Sequence, residues 1–503
     1  MVRAGVRDGL AEREACLAVA ARTGVPPKTL HGWLRDARWA DEAPGRRVGA
    51  DRALLAPVAP RHAPAVTRAV AALALLLLGA DTALKASLTT GSVAAFALLP
   101  AWFPQLRRYP GARAVLLVTV AAAVSGTVLA VFASDTHEVV ARNGYGMVLR
   151  LFSIAAGLGV VLWARRFLRL ETVVLLYGTG SLMSGVLDIP GSQNPWKYQL
   201  ALPVTLIVLS LLQRLRSRLP SVAALLVLTL LLLGGVSAAN DYRSFFGFTL
   251  LTGVLVTWQA LRSTGGRVPK RGFRAWTTSV LLVAGIVYAL YATVTSLLLS
   301  GALGSELQAR SRVQVESGGS LIAGGRPEWS ATRVLMADSP GGYGVGVVPA
   351  SRDVLLGKTG LATVGISPDN GYVDNYMFGG QFRLHSIVAD CWANFGLVGL
   401  ALTALVGFLL LNGLASALIE RRAQPVTVLL CLLALWDLAF GPIHSDLGEV
   451  YLALAVVLQP RSPGFLGSRT TSAPASVPDS TAATTRRLPS SRRNPPRRAT
   501  SPA

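Results

Sequence analysis

Apolar residues in this chain fall in blocks rather than alternating with polar ones. Between residues 66 and 460 the blocks run about 17 to 25 residues each, the length an α-helix needs to cross the hydrocarbon core of a bilayer. A period of two, the mark of a membrane barrel strand, is missing from them. Twelve spans are predicted, at 66–86, 88–104, 113–133, 146–164, 170–188, 197–213, 219–237, 243–261, 275–299, 391–415, 424–440 and 445–460. Pro100 and Pro104 interrupt the second, and the last is short. The predicted fold class is all-α, a polytopic membrane protein with about twelve transmembrane helices.

Composition agrees. Of 503 residues 52% are hydrophobic and 15% charged, with mean hydropathy +0.48. A soluble domain carries about 25% charged residues. The net charge of +22 is resolved by its position. One set of alternate loops (QLRRYPGAR, ARRFLRL, QRLRSRLP, RSTGGRVPKRGFR, IERRAQ) holds sixteen Lys and Arg, and the other short loops hold Arg142, Lys197 and Arg243. This asymmetry predicts a cytoplasmic-membrane protein with the basic loops and both termini in the cytoplasm. The Asn- and Gly-bearing loops then face outward, as does a long segment over about 300–390, which is expected to be partly helical.

The ends differ from the middle. Residues 1–45 contain ACLAVAARTGVPPKTLHGWLRDARWA, which resembles a helix-turn-helix through Ala20, Gly24, Val25, Leu30 and Trp33. No further nucleic-acid-binding element follows it. A linker over 46–64 leads to the membrane domain at 65–460, and 461–503, with eight Arg against one Asp, reads as a disordered basic tail. The first 60 residues contain no signal-peptide core. Cys16, Cys391 and Cys431 match neither a metal spacing nor a disulfide framework.

Candidate chemistry lies on the outward side. Arg243 opens the eighth span in SAANDYRSFFGFTL. Arg326, Trp329 and Arg333 lie in GGRPEWSATRVLMADSPGGYGVG, where a short helix is predicted to stop before Pro340. Arg383 and His385 precede the tenth span, and Asp390 follows His385 by five residues. Arginine's planar fork holds phosphate oxygens in pairs, and a histidine near neutral pKa can take a hydroxyl proton. No acidic cluster points to a metal, and no cofactor is expected. Asp81, Arg150 and Asp437 fall in or near spans, where ionisable groups are costly and pair with one another.

At these residues the chain resembles the O-antigen ligase and polymerase family. The family pattern has an arginine at the outer end of a mid-chain span, here Arg243. An Arg-x-x-Trp helix follows, here Arg326-Pro327-Glu328-Trp329. Then comes a Pro-containing Gly-x-Gly turn, here Pro340-Gly341-Gly342-Tyr343-Gly344-Val345-Gly346. A histidine and a Gly-x-x-Gly span start complete it, here His385 and Gly396-Leu397-Val398-Gly399. Ser386 stands where the family usually has asparagine, and Asn394 where an acidic residue often sits. The resemblance implies a GT-C-like fold over 66–460 and an inverting, metal-independent glycosyltransferase. In it Arg243 and Arg326 bind the pyrophosphate of an undecaprenyl-pyrophosphate-linked glycan. His385 activates the hydroxyl of a glycan or lipid acceptor, with Trp329, Arg333, Arg383 and Asp390 in support. Ligase and polymerase stay open, and the competing class is a multi-span transporter or flippase.

Overall fold

A computed structural model describes residues 64–84, 88–216, 222–263, 272–302, 304–365 and 367–460. The helix-turn-helix-like segment, the linker up to residue 63 and the basic tail lie outside these residues. Among the described residues the elements are helical, and the only β contacts are two isolated bridges, Ala83 with Thr89 and Val139 with Val347.

In chain order the helices are α1 (Ala65–Ala80), α2 (Thr90–Ala97), α3 (Leu99–Trp102), α4 (Pro110–Ala133), α5 (Ala141–Ala164), α6 (Leu170–Leu187), α7 (Ala201–Arg216), α8 (Val222–Ala239), α9 (Arg243–Ser263), α10 (Phe273–Ser300), α11 (Ser305–Gly318), α12 (Leu321–Gly325), α13 (Glu328–Asp338), α14 (Ser351–Ala362), α15 (Ile387–Ile419), α16 (Pro425–Phe440) and α17 (Leu447–Val457). Among the described residues seven helices are long and apolar enough to cross a membrane. Four more, Ala65–Ala80, Ala224–Ala239, Pro425–Phe440 and Leu447–Val457, are apolar but shorter. The chain is an all-α membrane protein.

The second predicted span is not one helix. Thr89 caps α2 by accepting from Ser92 N, but the helix lasts eight residues. Pro100 and Pro104 lack the N–H that would continue it, so the chain passes through four-residue α3 into a 3₁₀ turn at Phe103–Arg108. Trp102 locks this broken rod in place. Its ring fills a notch at Gly159, where an added Cβ would lie 2.3 Å from the indole. The first predicted span also stops early, at Ala80, because Asp81 turns left-handed at φ 37°.

Small residues set the closest crossings. A Cβ on Gly79 of α1 would lie 2.0 Å from Tyr177 O, and one on Gly180 of α6 would lie 2.1 Å from Leu76 O. The glycine turn at 340–348 and Asp353 of α14 bond the end of the bundle formed by the C-terminus of α4, the α4–α5 turn and the N-terminal part of α15. At the opposite end Arg165 bonds the Ala455 and Leu458 carbonyls, and Gln259 and the Ala423 backbone exchange two hydrogen bonds.

The segment is fixed by its glycine turn. Gly342, Gly344 and Gly346 have φ of 84°, 110° and 75°. A Cβ on Gly344 would lie 2.3 Å from Ala130 N, so no side chain fits. α15 breaks at Gly396 (φ 63°, ψ −148°), which takes its Ala393 and Phe395 carbonyls out of the helical pattern. Tyr343 N and Gly344 N donate to Ala393 O at 2.8 and 3.0 Å, and Ser125 Oγ donates to Phe395 O at 3.0 Å. Val345 N donates to Gly126 O, Val140 N to Gly346 O, and Trp392 Nε1 to Pro340 O. The Tyr343 ring stacks on Phe382 at 4.2 Å. His137 Nε2 meets Asp353 Oδ2 at 2.9 Å and pins α14 to the α4–α5 turn.

Candidate functional site

His385 sits just before α15, at φ 51°, a conformation that costs a non-glycine residue about 1–3 kcal/mol and persists only where neighbours hold it. Those neighbours are visible. Ser386 caps α15 by accepting from Ala389 N at 3.3 Å and donates to Leu438 O at 3.2 Å. Asp390, fully buried, accepts from Leu384 N at 2.7 Å through one oxygen and from Ile443 N at 3.2 Å through the other. Asp390 thus ties the residue before the histidine to the turn between α16 and α17.

The imidazole ends a three-membered chain. Tyr372 Oη donates to Glu328 Oε1 at 2.7 Å and lies 3.2 Å from His385 Nδ1. The phenol has one hydrogen. With it committed to the carboxylate, the phenolic oxygen accepts from Nδ1–H, and Nε2 is left as the basic nitrogen. Burial pushes the His385 pKa below its ordinary 6.5; the Glu328 charge opposes this and the Arg326 charge adds to it. Tyr376 stacks on Tyr372 at 5.1 Å and carries the Arg383 guanidinium over its other neighbourhood at 5.7 Å. A second histidine nearby is a poor base: burial, then Arg150 and Arg383, press His444 down to about 3.

Arg326 joins this centre to a large cavity. Its guanidinium lies 6.0 Å from the Trp436 ring and 5.9 Å from Phe440, a loose cation–π seat. It also neighbours Asp446, whose pKa burial raises to about 6. The cavity measures about 810 Å³, and both Arg326 and Arg243 line it. Lys197, Asp241, Tyr242 and Arg310 supply more of its polar wall, and Val294, Leu298, Val313, Leu321 and Ile322 an apolar one. Such a space has room for a bulky anion with a greasy tail. Among the described residues no group of three or more His, Cys, Asp and Glu is placed to share a metal ion.

The structure therefore brings Arg243 and Arg326 to one cavity, and Arg326, Arg383 and His385 to one neighbourhood. Trp329 does not face the cavity; its Nε1 donates to Ala439 O at 2.8 Å and clamps α13 to α16. Arg333 stands exposed on α13, outside the cavity lining. Sequence reasoning missed Glu328, Tyr372, Lys197, Tyr242 and Arg310. Glu328 was the third residue of the arginine–tryptophan motif, and Tyr372 and Tyr376 stand at a helical spacing of four, so residue type alone was a signal. Their partners were not. Comparison with known protein families, curated proteins and solved structures finds no match to this chain.

Proposed function

We propose that the protein is a membrane glycosyltransferase of the O-antigen ligase or polymerase kind, acting on a glycan linked to undecaprenyl pyrophosphate. The observation that carries this reading is the position of Arg326, which lines the same large cavity as Arg243 and is near enough to His385 for its charge to bear on the imidazole. In the reaction His385 Nε2 takes the proton of an acceptor hydroxyl, whose oxygen attacks the anomeric carbon from the face opposite the diphosphate. The carbon–oxygen bond to the carrier breaks with inversion, and Arg326 and Arg243 hold the charge that develops on the leaving diphosphate. Glu328, through Tyr372, fixes the imidazole tautomer and steadies the imidazolium that forms. Arg383 and Asp390 position the centre. The arginines take the electrophilic role a metal ion would otherwise fill.

In this reading the chain has a GT-C-like arrangement of twelve membrane passages, the second of them the broken rod α2–α3. It lies in the cytoplasmic membrane with both termini in the cytoplasm and residues 301–386 on the outer face. The basic loops support that orientation, since Arg165 and Arg422 lie at the end away from His385. The test is mass spectrometry of lipid-linked glycans in a deletion strain and in one carrying His385→Ala. Single repeat units accumulating on the carrier identify a polymerase, and long chains on the carrier a ligase. An unchanged pool in both strains rejects the proposal and favours transport.

A further inference from the structure

Among the described residues, the lining of the large cavity carries four cations, Lys197, Arg243, Arg310 and Arg326, against one carboxylate, Asp241. Asp241 is placed with care. It ends the turn after α8 at φ 55°, a conformation Asp tolerates better than most residues. The turn is tied to the loop bearing Lys197, because Asn194 Nδ2 donates to Asn240 O at 2.7 Å and Asn194 Oδ1 accepts from Lys197 N at 3.0 Å. From there Asp241 Oδ1 lies 3.5 Å from Arg243 Nε, and Oδ2 lies 3.6 Å from Arg310 Nη1. One carboxylate thus bridges an arginine of a membrane helix and an arginine of α11, in the segment that packs over the end of the bundle.

Resting on the function proposed above, we infer that Asp241 is a displaceable internal anion and that Arg310 is a third diphosphate-binding arginine. The carrier diphosphate takes over both guanidiniums, one phosphate on Arg243 and the second on Arg310, and Asp241 swings aside. The geometry favours the exchange. Good charge-assisted contacts run about 2.7–2.9 Å, so a carboxylate at 3.5 and 3.6 Å, with its side chain 53% exposed, is a weak partner. The carrier diphosphate brings four non-bridging oxygens and two negative charges to the same pair, against two oxygens and one charge on the carboxylate. Because Arg310 rides on α11, it is the second phosphate, beyond what a monophosphate offers, that draws this wall of the cavity onto the donor. After transfer the carrier diphosphate is the product, and the returning Asp241 carboxylate competes it off.

The experiment measures binding to the full chain in lipid nanodiscs, with undecaprenyl pyrophosphate, undecaprenyl phosphate and inorganic pyrophosphate as probes. Arg310→Ala is expected to weaken undecaprenyl pyrophosphate about tenfold, the size of one charge-assisted contact, and the monophosphate less than about threefold. Arg310→Lys should recover part of the loss. Asp241→Asn is expected to act in the opposite direction, tightening the pyrophosphate lipid about threefold and slowing its release. If Asp241 is only a strut for α11, both substitutions weaken binding together, and the inference is overturned. It is also overturned if Arg310→Ala binds like the wild type while Arg243→Ala does not, an outcome that leaves the proposed function standing. Inorganic pyrophosphate binding as tightly as the lipid would assign the site to the free anion and end the carrier assignment. Wild-type affinity in both Arg243→Ala and Arg326→Ala would remove the donor site itself.

Discussion

Residues 340–347 and residues 305–325 belong to one connection between α10 and α15, yet they are held in opposite ways. The first group is threaded between α4, α5 and α15, with Tyr343, Val345 and Val347 buried and the backbone bonded to α4, to α15 and to the turn before α5. The second leans on α10, whose most apolar stretch has no buried position among its described residues; Gln308 bonds Leu299 O of α10, and Arg310 reaches Asp241 through a half-exposed ion pair. Buried backbone bonds without side-chain slack fix a position to a fraction of an ångström, and half-exposed pairs fix it hardly at all. On the function proposed above, the difference matches two tasks. A base must meet its proton at hydrogen-bond distance, so His385 is mounted beside the rigid half. A cavity for a bulky lipid-linked donor must open and close, and its wall is the compliant half.

The largest test attacks the rigid half. Gly344→Val puts a branched side chain at φ 110° and 2.3 Å from Ala130 N. It should cost about 3–5 kcal/mol, adding backbone strain to overpacking, and appear as a lower Tm and loss of protection against protease in residues 340–386. His385→Ala should leave Tm unchanged and lower transfer roughly 10²–10⁴-fold in reconstituted vesicles.

Tyr372→Phe and Glu328→Gln sharpen the contrast by leaving the fold intact. Each should lower transfer about tenfold, the scale of one lost hydrogen bond to a charged group. The pH profile tells them from a packing defect. In the proposed reaction His385 acts as the neutral base, and burial holds its pKa below 6.5, so activity is expected to be full above that range and to fall as pH drops through the folded pKa. The Glu328 charge raises that pKa, so Glu328→Gln should move the acid limb of kcat/KM to lower pH. A limb that stays in place would remove Glu328 from the centre. Smallest is the compliant half: Val313, 63% exposed, should lose less than about 0.5 kcal/mol of stability on mutation to Ala, read as Tm.

Hydropathy located the helices well because burial in lipid and burial in protein both demand apolar residues. It failed where backbone geometry decides. The tenth span was expected to begin at 391, but α15 begins at Ile387 and bends at Gly396, a break that a continuous apolar pattern hides. Arg243, Arg326 and His385 were legible because a charge beside a membrane helix is conspicuous. Arg333 was grouped with them by type and stands exposed, since residue type does not report direction. Glu328 and Tyr372 lie 44 positions apart, and only the folding of α13 against the Tyr372–Met377 turn brings them to 2.7 Å. Asp241 was passed over because, on its own, a polar residue in a turn is what any turn contains.

The break at Gly396 also sets a timetable. The ribosome makes residues 340–347 before it makes α15, so the turn emerges ahead of the carbonyls that receive it. Until Ala393 and Phe395 have entered the membrane beside α4, Tyr343 and Gly344 have no acceptor there, and Leu384 has no Asp390 to bond. A chain stalled before residue 396 already contains Arg243, Arg326 and His385, yet lacks the joint that sets them against one another. The surroundings of the histidine are completed late, since Leu438 and Ile443, which bond Ser386 and Asp390, are made after α15 itself.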